Sequence, residues 1–144
     1  MVRRIALTMV LFAGCVWCLA LVKRADSAPS ASADGSFKPV ASVNGLMTGQ
    51  MLAFKQLQGS LNGKKGAERP KAIQLTSEAL AELANVNTYN GEKDDYRGWA
   101  GQLRDTALEL AGEAKKKDQA DEDKMKSLLA KLEATCKSCH DAYQ

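Results

Sequence analysis

The sequence predicts an all-α fold, an antiparallel up-down-up-down four-helix bundle, and three observations carry that reading. Four amphipathic stretches, with apolar residues three and four apart, follow one another between residues 39 and 143. Short polar turns containing Asn62-Gly63 and Asn90-Gly91 interrupt them. No alternating strand pattern competes. A helix that is apolar on one side only must be covered by another element, and four such helices with short connections cover one another most economically as a bundle.

The first stretch runs from about Pro39 to Leu61, with Val43, Met47, Phe54, Leu57 and Leu61 as its apolar stripe, and Asn62-Gly63 ends it. The second runs from about Pro70, a residue suited to a first helical turn, to Val86, with Ile73, Leu80 and Leu83 on one side. Asn87 to Glu92 reads as a loop. The third runs from about Asp94 to Lys117 with the stripe Tyr96, Trp99, Ala100, Leu103, Ala107, Leu110 and Ala114. Acidic residues open it and Lys115-Lys116-Lys117 close it, as the helix dipole favours. The fourth runs from about Asp121 to Tyr143, with Met125, Leu128, Leu129, Leu132, Cys136, Cys139 and Tyr143 inward.

Ahead of these helices lies a different kind of segment. Arg3 and Arg4 form a basic start, Ile5 to Val22 is apolar, and Ala31-Ser32-Ala33 before Asp34 has the small-residue pattern of an export cleavage site. The polar stretch Ser27 to Ser36 reads as a linker. The apolar run is also long enough to span a bilayer, and Lys23 and Arg24 follow it directly, so a retained N-terminal anchor is the alternative. Leu11-Phe12-Ala13-Gly14-Cys15 resembles a lipoprotein cleavage box but is followed by more apolar residues. The expected organisation is a signal peptide or anchor with linker over residues 1–33 and one helical domain over residues 34–144. Removing residues 1–33 takes the formal charge from +3 to zero, with 16 basic and 16 acidic residues left. A neutral domain without a basic stripe gives no footing for nucleic acid.

The chemistry is concentrated in Cys136-Lys137-Ser138-Cys139-His140. Cys-x-x-Cys-His is the attachment pattern of c-type haem, in which each cysteine forms a thioether to a porphyrin vinyl group and the histidine binds iron axially. On a helix advancing about 100° per residue, Cys139 lies near 300° and His140 near 40° from Cys136, so all three face one side. A zinc site would need a fourth ligand, and the chain has no second histidine. A redox cysteine pair belongs at a helix N-terminus, where the dipole favours a thiolate, whereas this pair sits near a C-terminus. One haem c per chain is therefore expected. Haem attachment of this kind occurs outside the cytoplasm, which agrees with the export signal and points to the periplasm. Cys15 and Cys18 form a second Cys-x-x-Cys, but Leu19 stands where a histidine would be needed, and they read as ordinary residues of the apolar segment.

An export signal, four helices and Cys-x-x-Cys-His at the end of the fourth together resemble the class II c-type cytochromes, the cytochrome c prime family with its low-spin, methionine-ligated relatives. The resemblance implies haem held on the last helix of a bundle, and either electron transfer or the binding of small gases. Tyr143, three residues after His140, fits the aromatic residue usual there. Gln144 departs from the Arg or Lys common next.

Function then turns on the iron's sixth position. A second histidine is excluded, a lysine is possible but would have to be deprotonated, and methionine is the natural candidate; Met125 lies about three turns before Cys136 on the same helix, too far along to reach the iron. Met47 and Met51, about 40° apart on the first helix, remain. The low-spin relatives take their axial methionine early in that helix, so Met47 is the preferred ligand and Met51 the alternative. Methionine on an apolar stripe also serves as simple core filling. In that case the iron is five-coordinate, with an apolar distal pocket open to NO or CO. Trp99, Tyr96 and Tyr143 are expected to pack at the core or haem edge, and Gln50 to stay at the rim, with a bond to a haem propionate as the lesser option. Gly45 and Gly49 lie on the side of the helix away from Met47 and suit close packing, against a second subunit among other possibilities. The Lys115–Lys117 and Asp118–Asp123 runs read as a solvated turn, with a basic docking patch as the lesser option. No Ser/His/Asp set, carboxylate pair or phosphate loop is present, so no catalytic residues and no enzymatic role are expected. The anticipated partner is a redox protein, with a diatomic gas as the alternative ligand and a homodimer as the alternative assembly.

Overall fold

The computed structural model describes residues 37–90 and 93–143. The export or anchor segment with Cys15 and Cys18, the linker, Gly91, Glu92 and Gln144 lie outside the described residues. Four α-helices follow in order: α1 (Val43–Asn62), α2 (Arg69–Asn87), α3 (Asp94–Ala114) and α4 (Glu122–Tyr143), with a 3₁₀ turn over Lys117–Gln119 before the last. No strand occurs among the described residues.

Local chemistry sets the boundaries. Helix α1 starts at Val43, later than the expected Pro39, because Ser42 holds an extended backbone and its Oγ accepts from the Gly45 amide at 3.2 Å. The preceding residues form a short arm whose Phe37 ring lies 4.8 Å from that of Tyr89. The Asn62-Gly63 stop holds. A Cβ on Gly63 would come within 2.8 Å of the Gly59 carbonyl oxygen, so only glycine lets the chain leave here. Helix α2 begins with Pro70 in its first turn and ends at Asn87, one residue beyond the expected Val86. Helix α3 opens on Asp94 and Asp95 but stops at Ala114, not Lys117. Its end is diverted by Glu113, a buried carboxylate that accepts from Lys116 Nζ at 2.8 Å and from the Asp121 amide at 2.9 Å. Drawing Asp121 back toward Glu113 forces the chain to turn at once, and Lys117 adopts a left-handed conformation at φ 56°, which costs an L residue about 1 kcal/mol. Asp121 then caps α4, its Oδ1 accepting from the Lys124 amide at 3.0 Å.

Each helix packs on its sequence neighbours, and α1 closes the ring on α4, where the contact is thinnest. The core runs through Leu57, Ile73, Leu80, Leu110 and Leu132, each essentially inaccessible. Two expectations on α1 are corrected. Val43 is 38% exposed, and the inward positions are Leu46, Gln50, Leu57 and Leu61. The inward direction is set by the longer run of these four, so a residue in the first turn on a neighbouring line falls outside it. Gln50, expected at the rim, is buried. Gly49 faces α2, where an added Cβ would stand 3.2 Å from Leu83 Cδ1. Gly49 therefore serves packing within the chain.

One end of the bundle is locked by charge. Arg69, at the start of α2, donates through Nε to the Ser60 carbonyl at 2.7 Å and through Nη2 to the Leu61 carbonyl at 2.8 Å. Its guanidinium also grips both carboxylate oxygens of Glu122, at 3.0 and 2.5 Å. One side chain thus caps α1 and ties it to α2 and α4. The Arg69 hydrogen bond draws the Glu122 carboxyl down to about 2, and the Asp121 amide and Lys116 hold Glu113 at about 2 as well.

Candidate haem site

At the opposite end, the thin contact between α1 and α4 opens into a cavity of about 420 Å³, a size suited to a cofactor. Its walls come from all four helices. Helix α4 stays regular to Tyr143 and presents Cys136, Cys139 and His140 to the cavity, as the expected spacing requires. Helix α1 presents Met47, Gln50, Met51 and Phe54 from another wall, α3 presents Tyr96, Trp99 and Leu103, and α2 presents its last residue, Asn87. Met47 is half-buried and Met51 is 49% exposed. His140 is exposed, at the cavity's edge.

Tyr143 stands on the outer side of this corner and is 38% exposed, not inward as expected. Its hydroxyl, hydrogen-bonded to Asp95 Oδ1 at 2.5 Å, draws the ring toward the first turn of α3. There it meets the rings of Tyr96 and Trp99 edge-on, with centroids 5.6 and 5.8 Å away, and Lys93 Nζ lies 5.0 Å from its centroid. Bonding to Asp95 pushes the Tyr143 phenol up to about 12 and lowers the Asp95 carboxyl in return. The clasp ties the end of α4 to the start of α3, just beyond the cysteine-histidine motif.

Both cysteines are free. Burial raises the Cys136 and Cys139 thiols above their ordinary range, which keeps them as thiols. A zinc ligand or a redox nucleophile would be a thiolate, and no cluster of three or more metal-ligating side chains occurs among the described residues. The site fits a haem on three counts: two unpaired thiols and a histidine in one helical register, an apolar chamber large enough to admit a ring, and aromatic walls from Phe54 and Trp99. His140 and the two cysteines would hold it.

Residues 90–144 match the family model described as Cytochrome C'. That segment is similar to the cytochrome c prime family. The match spans α3 and α4 with the Cys-x-x-Cys-His motif. Helix α1, with Met47 and Met51, lies outside the matched residues. No curated protein and no solved structure matches the chain.

The cavity also holds polar groups, of which Asn87 is one the sequence analysis did not single out. Gln50 Nε2, Asn87 Oδ1 and Tyr96 Oη are buried without a hydrogen-bond partner. Burial, with the nearby Cys139 thiol, raises the Tyr96 phenol, while the adjacent Asn87 side chain acts the other way. A signal for Gln50 was present: it sits on the line of Leu46, Leu57 and Leu61, where only an inward residue belongs. Asn87 continues the inward line of Leu80 and Ala84, one residue into the expected loop.

Proposed function

We propose that this cytochrome c prime relative is a periplasmic monohaem electron carrier. Cys136 and Cys139 hold one haem c covalently, His140 is one axial ligand and Met47 the other. The observation that carries the reading is the convergence of Cys136, Cys139, His140 and Met47 on one cavity. Methionine opposite histidine raises the iron's potential and suits electron transfer. The protein's part is to bury the ring in an apolar chamber, fix its ligands, and leave one edge open along the α1–α4 seam for a redox protein to approach. No residue is assigned a catalytic role. The export signal read from residues 1–33 supports the periplasmic placement, and no described helix is long and apolar enough to cross a membrane.

A second reading is favoured by the orphaned Gln50 amide one turn beyond Met47. There Met47 is only a wall residue, and the iron is five-coordinate and open to NO or CO. Optical spectra of the haem-loaded protein separate the two. A weak band near 695 nm when oxidised, with sharp α and β bands when reduced, supports Met47 as ligand, provided that Met47→Ala removes it. Broad high-spin bands that sharpen with CO or NO, unchanged by Met47→Ala, support the open site.

A further inference from the structure

We propose that Asp95 and Tyr143 are positioning residues of the haem site: their hydrogen bond ties the last turn of α4 to α3 and so fixes the direction of the His140 imidazole. The inference rests on the reading that a c-type haem is attached here with His140 on its iron. It holds whether or not Met47 is the other ligand.

His140 is poorly held by its own surroundings. A histidine that binds a metal ordinarily donates its second ring N–H to a carboxylate or a carbonyl, and that bond sets the plane of the ring. His140 is exposed and makes no hydrogen bond or ion pair among the described residues. It also stands in the last turn of α4, whose final carbonyls have no partner within the helix. Helix ends of this kind fray. The pair of Lys137 Nζ with Asp141 Oδ2, at 2.6 Å, joins α4 only to itself, and an exposed pair of this type adds little.

Tyr143 supplies the hold from outside. It follows His140 by three residues, so the two share one turn and neighbouring positions on the helix surface. Its hydroxyl donates to Asp95 Oδ1, and the same oxygen accepts from the Tyr96 amide at 2.8 Å, so the acceptor is itself pinned to the backbone of α3. The Tyr143 bond lowers the Asp95 carboxyl, and the positive end of the α3 dipole favours the same ionised form. A hydroxyl bonded to an ionised carboxylate belongs to the stronger class of hydrogen bond. The Tyr143 ring adds its edge-on contacts with Tyr96 and Trp99 and the Lys93 ammonium near its centroid, all within the opening of α3. Tyr96 and Trp99 also line the chamber that Cys139 and His140 border. The clasp therefore references the last turn of α4 to the wall against which a porphyrin would lie.

The test uses the haem-loaded full chain as wild type and three variants. Tyr143→Phe keeps the ring and deletes the bond, Asp95→Ala deletes it from the other side, and Asp95→Asn keeps an acceptor while removing the charge. Two quantities are read: amide exchange over residues 140–143, and the electron paramagnetic resonance g-values of the oxidised iron, which follow the plane of its axial imidazole in either spin state. In Tyr143→Phe and Asp95→Ala we expect exchange about tenfold faster, as loss of one hydrogen bond implies, with resonance signals broadened or split. Asp95→Asn should stay within about twofold of wild type in exchange and keep the wild-type g-values. Faster exchange with unchanged g-values would make the clasp a tether with no hold on His140, and would overturn the proposal. So would no change in either quantity, or an Asp95→Asn variant as disturbed as Asp95→Ala, which would assign the effect to charge. Each of these leaves the haem reading standing. A wild type that shows no haem stain on a denaturing gel, checked before any variant is compared, would sink the haem reading and this inference together.

Discussion

At the end where α1 turns into α2 and α3 into α4, Arg69, Glu113 and Glu122 each make several charge-assisted bonds. Where α1 begins and α4 finishes, about 27 Å away along α4, Gln50, Asn87 and Tyr96 are buried without partners, and two neutral thiols and a histidine border a cavity. A chain can satisfy its own polar groups when stability is the only demand, as it does at the first end. Unsatisfied groups around a chamber mark the place where something other than the chain completes the structure. The comparison assigns the two ends separate tasks, one holding four helices together and the other receiving a cofactor.

The largest expected effect tests that division directly. Replacing both cysteines, Cys136→Ser with Cys139→Ser, should abolish haem staining on a denaturing gel. It should also leave amide exchange at the Arg69–Glu122 end as slow as in the haem-loaded wild type. Loss of protection at both ends alike would show that the haem organises the whole bundle and erase the distinction. Next in size, Arg69→Leu removes the cap on the α1 carbonyls and strands Glu122 without its main partner. A loss of about 3 kcal/mol is expected, read as a lower denaturant midpoint, with the haem spectrum unchanged.

Acid should act on the same end. Glu113 and Glu122 ionise at about 2 in the folded protein, below the ordinary 4.5. A depressed carboxyl stabilises the fold fully above its unfolded value and loses that stabilisation as pH falls toward the folded one. Denaturant midpoints should therefore be flat near neutrality and fall between about pH 4.5 and 2. Glu113→Gln should start lower and decline less steeply. A variant curve parallel to wild type would place the acid sensitivity elsewhere.

The two ends also differ in how far the sequence discloses them. The haem motif, the middle of each stripe and the Asn62-Gly63 stop are local patterns, each decided by neighbours in sequence, and they appear in the structure where expected, with Val43 and Tyr143 at the stripe ends turned outward. The locked end was invisible because Arg69 and Glu122 are 53 residues apart and nothing local announces that they meet. The same holds for Glu113, whose grip on Asp121 ended α3 early and turned the lysine run into a bend. Gln50 illustrates a third case. Its inward register was legible from Leu46 and Leu57, but a polar residue was placed at the rim by its chemistry, and burial decided otherwise. Met47 and Met51 both border the cavity, and which of them meets iron depends on the ring that fills it.

The smallest effect has the most informative sign. In the haem-free chain, Gln50→Leu replaces a buried, unpaired donor with an apolar side chain of similar size, in contact with an apolar line on α1. Removing an unmet desolvation penalty should raise stability by about 1 kcal/mol, against the loss of about 3 kcal/mol at Arg69. Polar-to-leucine changes at the two ends would thus move the denaturant midpoint in opposite directions. In the haem-loaded protein the gain should shrink, because the filled chamber offers the wild-type amide a partner that leucine forfeits. Stabilisation of the same size with and without haem would mean that Gln50 never finds a partner, and the contrast between a satisfied end and an unfinished one would lose its functional meaning. A destabilised haem-free variant would mean that the amide is already bonded in the empty chamber.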